Sequence, residues 1–324
     1  MKKNIAIVTG GDAAERSVSL QSAKNIASEM NSDKYNIFIL ELNKGKFTLQ
    51  GTDNQIDLND FSLNINQTQL TFDLVYLMLH GHPAEDGHLQ GYFKLIGMPY
   101  TGCNLFSSAL TFGKQATKDV LIKYQIPMAS SYLLTKNISW EKDELLKLGL
   151  PLFVKPNKNG SSYGVSKVKK AEELTKAINL AFEYDDEVVV EAFLSGTEFS
   201  NGVFRKGNEI IVLPITEIIS ENEFFDYKAK YENQSQEITP ARLSEDLTAK
   251  CKAQTKLIYE VLGCSGVVRV DSILVGEYFY FLEVNTIPGM SDTSIIPQQT
   301  KAYGLTVSEL LDCVIEEGLK RPIY

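Results

Sequence analysis

Long apolar runs are missing from this sequence. None approaches the roughly 20 residues that a membrane helix needs, so neither a membrane span nor a membrane partner is expected. There is no block of lysine and arginine either. With a net charge of −9, the chain lacks the basic face that nucleic-acid phosphates require. Cysteine is scarce and scattered: Cys103, Cys251, Cys264 and Cys313 show no metal-binding spacing, which fits reduced thiols and a cytoplasmic protein. Two nucleotide fingerprints are absent. After the first apolar segment the chain reads GGDAAE, not G-x-G-x-x-G, and no Gly-Lys-Ser/Thr opens a helix. The first absence disfavours a nicotinamide dehydrogenase and the second a Walker loop. The opening MKKNIAIVTGG has only Ile5 to Val8 as a continuous apolar run and is expected to form a first strand rather than a signal peptide.

What is present describes an ordinary globular chain, 44% apolar and 23% charged. Its 324 residues are too many for one core, and two or three domains of about 100–150 residues are expected. The most informative stretch is VVRVDSILVGEYFYFLEVNTIPG, Val267 to Gly289. It reads as two strands, rich in Val, Ile, Phe and Tyr, broken at Gly276. Arg269 and Asp271 share one strand face, and so do Glu283 and Asn285, because side chains alternate along a strand. Oxygen ligands without Cys or His suit a hard cation such as Mg²⁺ bound together with substrate phosphates. The arginine suits a phosphoryl group or a developing oxyanion. The alternative is a surface hairpin with solvated charges. A plain two-residue turn would put Asp271 and Glu283 on opposite faces, so a shared site demands an odd loop or a bulge.

Taken in order, Asn4 to Thr9 reads as a buried strand, turned by Gly10 and Gly11 into a helix with Val18, Ser22, Ile26 and Met30 on one face. Glu15 at that helix start would attract a cation such as a substrate ammonium, unless it only complements the helix dipole. Tyr35 to Leu40 is a second strand. Asn43 to Leu70 suggests a short hairpin or an insertion, and Phe72 to Leu79 a third, central strand. His80 to Gly87 is that strand's C-terminal loop, where ligands of open α/β sheets sit. It holds His80 and His82, with His88 just beyond, but a structural zinc site normally shows closed four-ligand spacing. Helices are expected over Ser107 to Tyr124 and Glu141 to Leu148. Strands Leu152 to Lys155 and Val165 to Val168 flank PNKNGSSYGVSKV, a Gly/Ser loop able to offer N–H groups to phosphates beside Lys155. The helix Ala171 to Phe182 and the strand Glu187 to Leu194 follow, then strands Phe199 to Phe204 and Glu209 to Ile215. Ser220 to Thr239 has no apolar period, and its Tyr227, Lys228, Lys230 and Tyr231 suit a lid over a polyanion. After a helix ending at Gly263, the last helix should carry a capping box of Thr306 with Glu309 and bury Leu310, Leu311, Val314 and Ile315.

Six pieces occur in sequence: GG-x-x-x-E-R, HG-x-x-x-EDG, VKP-x-x-x-GSS-x-G, DY-x-AKY, R-x-D and LE-x-NT-x-PGM. Together they resemble, end to end, the D-alanine–D-alanine ligases of the ATP-grasp superfamily. The resemblance implies an α/β fold of three domains. These are a Rossmann-like unit over 1–102, a central ATP-grasp subdomain over 103–190, and a C-terminal one over 191–324 with a lid over 220–239. ATP would lie between the last two. It implies ATP-dependent joining of two D-alanines through a D-alanyl phosphate, releasing ADP and phosphate, for peptidoglycan precursors. A homodimer and two Mg²⁺ ions, or Mn²⁺, are also implied.

On the same resemblance, Glu15 would hold the ammonium of the first D-alanine, in a network with Ser161 and Tyr231. Lys114, Lys155 and Lys230 would contact ATP phosphates. Glu191 and Glu198 would bind adenine and ribose, with the backbone of Ala192 and Leu194 framing the base. Asp271, Glu283 and Asn285 would hold the metals. Arg269 and the Gly289 N–H would form an oxyanion hole, Ser294 would take the carboxylate of the second D-alanine, and His80 would lie near the reacting carboxylate. The chain departs from the family pattern at Gly113, where aspartate is common, at Ala192, often lysine, at Tyr163, often valine, and at Ala84, a loop glycine in relatives. Tyr231 favours an amine acceptor. The alternatives are another ATP-grasp carboxylate ligase, such as one making D-alanyl-D-lactate, or a catalytically silent ATP-binding module.

Overall fold

A computed structural model describes residues 2–12, 15–158, 160, 163–220 and 235–321. The N-terminal part contains β1 (Lys3–Gly10), α1 (Arg16–Glu29), β2 (Tyr35–Asn43), β3 (Lys46–Leu49), β4 (Ile56–Asp57), β5 (Ser62–Ile65), β6 (Thr68–Leu70), β7 (Leu74–Leu77) and α2 (His88–Leu95). Its sheet runs β3-β2-β1-β7, with β1 parallel to both β2 and β7. Parallel neighbours need a crossover, and α1 supplies it between β1 and β2. The region Asn43 to Leu70 holds more than a hairpin: β4, β5 and β6 form their own small sheet. The strand expected to be central, β7, stands at the end of the four-strand path, with only a bridge from Val75 to Tyr100 beyond it. All four of its residues are nonetheless buried, because the C-terminal helix covers them, and full burial is what made its sequence read as central. Gly10 turns the chain at φ +92°, where an added Cβ would lie 2.7 Å from the Leu42 carbonyl oxygen, so only glycine fits.

The middle part comprises α3 (Leu105–Phe112), α4 (Lys114–Leu121), β8 (Ser131–Thr135), α5 (Lys142–Leu146), β9 (Leu152–Pro156), β10 (Ser166–Val168), α6 (Leu174–Ala181) and β11 (Glu187–Ala192). An antiparallel sheet runs β10-β9-β11-β8. The helical segments expected over Ser107 to Tyr124 are two helices parted at Gly113. There the Asn157 carbonyl accepts from Lys114 N–H and the Asn157 side chain from Gln115 N–H, which starts α4. Strand β8 carried no alternation signal, since only Leu134 among its five residues is buried. Strand β11, expected to open the third unit, pairs with β9 and β8, so a boundary at 190/191 would cut through it.

The last part holds β12 (Thr197–Lys206), β13 (Glu209–Val212), β14 (Thr216–Ser220), β15 (Ser235–Ile238), α7 (Glu245–Val261), β16 (Val268–Val275), β17 (Tyr278–Asn285), α8 (Ile295–Tyr303) and α9 (Val307–Lys320). Its sheet runs β15-β14-β12-β16-β17, with β13 also on β12. The stretch read as one loop, Ser220 to Thr239, is therefore strand over Ser235–Ile238, where β15 pairs with β14. Helix α9 has the expected capping box, with Thr306 Oγ1 accepting from Glu309 N–H and Glu309 Oε2 from Thr306 N–H. Its buried Leu310, Leu311, Val314 and Ile315 join the core of β1 and β7 rather than a separate one. Tyr35 Oη donates to Asp312 at 2.9 Å and Arg321 to the Gly102 carbonyl at 2.6 Å, so the chain's end locks the first sheet onto the third. Among the described residues no helix is long and apolar enough to cross a membrane.

Candidate active site

The hairpin of β16 and β17 meets the condition its sequence set. Val275 pairs with Tyr278, so the turn holds two residues, and Ser272 pairs with Phe281. Between Asp271 and Ser272 the register shifts by a bulge, and Asp271 stands opposite Glu283, Arg269 opposite Asn285. Without the extra residue, Leu282 would face Asp271 and both acceptors of β17 would turn to the other side. The bulge thus gathers one cation, two carboxylates and an amide on one face.

Arg269 grips Asp271 through Nε and Nη2, at 2.9 Å to Oδ1 and 2.7 Å to Oδ2. Asp271 is 3% exposed and also accepts from Ser200 Oγ. Burial works against the arginine's charge, but Asp271, followed by Glu283 and Glu198, holds the guanidinium well above its ordinary value. Asn285 Oδ1 accepts from Ile287 N–H at 3.1 Å, which orients the amide at the strand's end. This donor set fits a hard divalent cation: carboxylate and amide oxygens, with neither Cys nor His among them.

The hairpin face forms one wall of a cavity of about 390 Å³. Glu15 and His80 line it from the first sheet's side, Lys114 from α4, Glu198 from β12, and Gly289 and Ser294 from the loop before α8. Glu15 is the N-cap of α1. A Cβ on Gly160 would lie 3.1 Å from its Oε1, so the Gly/Ser loop approaches the Glu15 carboxylate closely at a residue with no side chain. His80 is 5% exposed, its N–H donates to Ser19 Oγ, and its Nε2 is buried without a partner among the described residues. An orphaned buried nitrogen in a cavity wall is a ready contact for a polar ligand. Ser294 is the N-cap of α8, and its hydroxyl accepts from Ser291 N–H. A helix N-terminus with hydroxyls is suited to a carboxylate.

Two polar groups on the buried face of α1 fix the Gly289 loop. Asn25 Nδ2 donates to the Met290 carbonyl at 2.6 Å, and Met290 N–H donates to Ser22 Oγ at 3.1 Å. Sequence reasoning placed Ser22 on that face but did not see the loop 268 residues away.

Lys155, Glu191, Ala192 and Leu194 do not line this cavity. Lys155 on β9 pairs with Glu191 Oε1, and Lys118 of α4 reaches Oε2 at 3.4 Å while donating to Ala129 O and Ser131 Oγ at 2.7 Å. Burial would raise the Glu191 carboxyl, but the two lysines outweigh it and hold it below its ordinary value. Burial pushes Lys118 down despite Glu191. Two ammonium groups share one carboxylate, and the more enclosed lysine bears the deficit. The surplus positive charge suits a polyphosphate. Tyr163, the departure in the Gly/Ser loop, stacks on Tyr184 at 6.3 Å. Ser161, Lys230 and Tyr231 lie outside the described residues, as do Tyr227 and Lys228 of the expected lid.

Residues missed from sequence include Lys118, Asn25, Ser200 and Glu237. Glu237 lines the cavity from β15 and accepts from Gln298 at 2.8 Å, with its carboxyl raised by burial. It sat inside a stretch that showed no period. Lys118 follows Lys114 by one helical turn, a spacing that could have marked it.

Comparisons with known proteins span nearly the whole chain. The family models for the "D-ala D-ala ligase N-terminus" and "D-ala D-ala ligase C-terminus" match residues 4–103 and 121–316. A D-alanine–D-alanine ligase of Phocaeicola vulgatus is 46% identical over 321 residues, 98% of this chain and 99% of that protein. Among solved structures, the VanG D-Ala:D-Ser ligase of Enterococcus faecalis superposes with a TM-score of 0.85 at 32% identity, covering 98% of this chain and 100% of that one. The D-alanine–D-alanine ligase of Bacillus anthracis complexed with ATP superposes with a TM-score of 0.81 at 31% identity, covering 98% of each chain. Fold and site define an ATP-grasp enzyme. Within that class, the chain belongs to the D-alanine–D-alanine ligase family.

Proposed function

We propose that this protein joins two D-alanines at the expense of ATP, yielding D-alanyl-D-alanine, ADP and phosphate. The observation that carries the reading is the single cavity in which Glu15 and the Arg269, Asp271, Glu283 and Asn285 face converge. One end offers an anion for an ammonium, and the other offers cation ligands and an oxyanion donor. The carboxylate oxygen of the first D-alanine attacks the γ-phosphorus and ADP leaves. The amine of the second D-alanine then attacks the acyl carbon, loses a proton, and phosphate departs as the tetrahedral centre collapses.

Glu15, with Ser161 and Tyr231, would hold the first ammonium, and His80 would sit beside the reacting carboxylate. Ser294 at the start of α8 would take the second carboxylate. Arg269 and the Gly289 N–H would bind the oxygen on which charge develops, the kind of stabilisation that acts chiefly in the transition state. Lys114, Lys155 and Lys230 would hold phosphates. Glu191, Glu198 and the backbone at Ala192 and Leu194 would hold adenosine. Asp271, Glu283 and Asn285 would hold two Mg²⁺, which supply charge neutralisation at the phosphates.

Three units support this work: 1–102, the sheet closing with β11, and the sheet that follows. We place the protein in the cytoplasm, where its four free thiols would stay reduced. We further propose a homodimer through the exposed Leu95, Leu105 and Phe106 beside an apolar cleft.

The test is phosphate release from ATP–Mg²⁺ with D-alanine, and with D-serine, D-lactate and L-alanine in turn, reading products by mass. Release that requires D-alanine, with the dipeptide as product, is expected. Preference for D-serine or D-lactate as acceptor, or no release at all, would sink the reading.

A further inference from the structure

The loop after β7 contains a cluster that the ligase chemistry does not use. His82 Nδ1 lies 2.5 Å from Asp86 Oδ2, and His88 Nδ1 lies 2.9 Å from Asp86 Oδ1. The two imidazoles meet edge to face with centroids 5.0 Å apart. The three ligand atoms all fall within 4.8 Å of one another, the one such group of His, Cys, Asp and Glu found among the described residues.

We propose that His82, Asp86 and His88 form a binding site for a divalent transition-metal ion of the Zn²⁺ class, separate from the hard-cation face of the hairpin. Two imidazoles and a carboxylate are the donors such ions select, whereas Mg²⁺ prefers oxygen alone. Three protein ligands leave a fourth position for water, so the closed four-ligand spacing of a structural zinc site is not required. With metal–ligand bonds of about 2.0–2.2 Å, tetrahedral donors stand roughly 3.4 Å apart. The two Nδ1-to-oxygen separations, 2.5 and 2.9 Å, are shorter than that. An ion would take each neutral imidazole through Nδ1 with the ring hydrogen on Nε2; the Nδ1–oxygen pairs open by under an ångström, and the three donors, within 4.8 Å of one another, close around it. Both histidines can make that movement, being about two-thirds exposed, while Asp86 is 13% exposed.

The loop is already shaped to hold the three together. Gly81 N–H donates to Glu85 Oε2, Glu85 N–H to the Gly81 carbonyl, Leu89 N–H to the Pro83 carbonyl, and His88 N–H to Asp86 Oδ1. Little backbone order remains to be imposed on binding. His80 stands apart: its Nδ1 faces Glu85 at 3.8 Å, toward the cavity.

The experiment titrates full-length protein, without nucleotide or Mg²⁺, with Zn²⁺ by calorimetry and with Co²⁺ by visible absorption. His82→Gln and His88→Gln are compared, with circular dichroism to verify folding. Wild type should bind one more equivalent of Zn²⁺ than either variant, at micromolar affinity or better, with the strong visible bands of four-coordinate Co²⁺. Zn²⁺ should raise the Tm of wild type and not of the variants, since only a native-state site adds stability. The same stoichiometry in wild type and variants, absence of Zn²⁺ binding, or a weak six-coordinate Co²⁺ spectrum would each overturn the proposal. None of these readouts depends on the ligase activity.

Discussion

Asp271 stands directly opposite Glu283 across β16 and β17, although the turn between those strands holds two residues. The bulge that achieves this puts two carboxylates on one face, where opposed like charges are destabilising unless a cation joins them. Glu283→Gln should therefore leave the Tm unchanged or slightly raised. Turnover should fall by about a hundredfold or more, since loss of a metal charge costs several kcal/mol in the transition state. Steady-state phosphate release and a thermal melt on the same preparation measure both. Equal losses of folding and activity would remove the metal role.

Asn25 links α1, whose N-cap is Glu15, to the loop of Gly289. Asn25→Ala leaves the Met290 carbonyl buried without its donor, a cost of about 1–3 kcal/mol. It should also lower kcat/KM for D-alanine by about tenfold, the rate equivalent of 1.4 kcal/mol, through a misplaced oxyanion donor. Ser28→Ala is the control, because the Ser28 hydroxyl donates within its own helix, to Asn25 O. If both variants shift Tm and neither shifts kcat/KM, Asn25 is structural only.

The Glu191 node sets a pH dependence. Its carboxyl lies below the ordinary value of 4.5 in the folded chain, so the unfolded chain binds that proton more tightly. The contribution to stability is complete above about pH 4.5 and is lost as pH falls through the folded value. Glu191→Gln should lower stability at neutral pH by about 3 kcal/mol, as breaking a buried pair does. It should also flatten the acid limb of Tm against pH. Parallel acid limbs for wild type and variant would contradict the assignment.

Leu95 is 86% exposed and Phe106 70%. Phe106→Glu should turn a dimer into a monomer in light scattering, with Tm changed by little because the side chain packs against solvent. A monomeric wild type, or a dimeric variant, would dismiss this face as the interface.

Much of the fold was legible because its signals are local. Strand β1, helix α1, the capping box at Thr306 and the hairpin of β16 and β17 follow from apolar period, turn residues and capping chemistry within a few positions. The hairpin even stated its own condition, an odd loop or a bulge, and the structure uses the bulge. Other features had no local trace. Strand β8 buries one residue of five. Strand β7 read as central because a helix more than two hundred residues later in sequence covers it. Lys118 looked like any helical lysine until Glu191 was set beside it.

By itself, then, the sequence determined the chemistry: which side chains carry charge, their alternation on strands, and the motifs that mark the family. Tertiary structure alone decided the convergence. Glu15, Lys114, Arg269 and Ser294 lie on segments far apart in sequence, and they share one cavity because the buried apolar faces of the first and third sheets and of α3 and α4 pack in one arrangement. His82, Asp86 and His88 are the local case, held within reach of one ion by bonds inside their own loop. Hydrophobic periodicity specifies which face is buried but not what it is buried against. That choice depends on long-range contacts that no window of sequence contains.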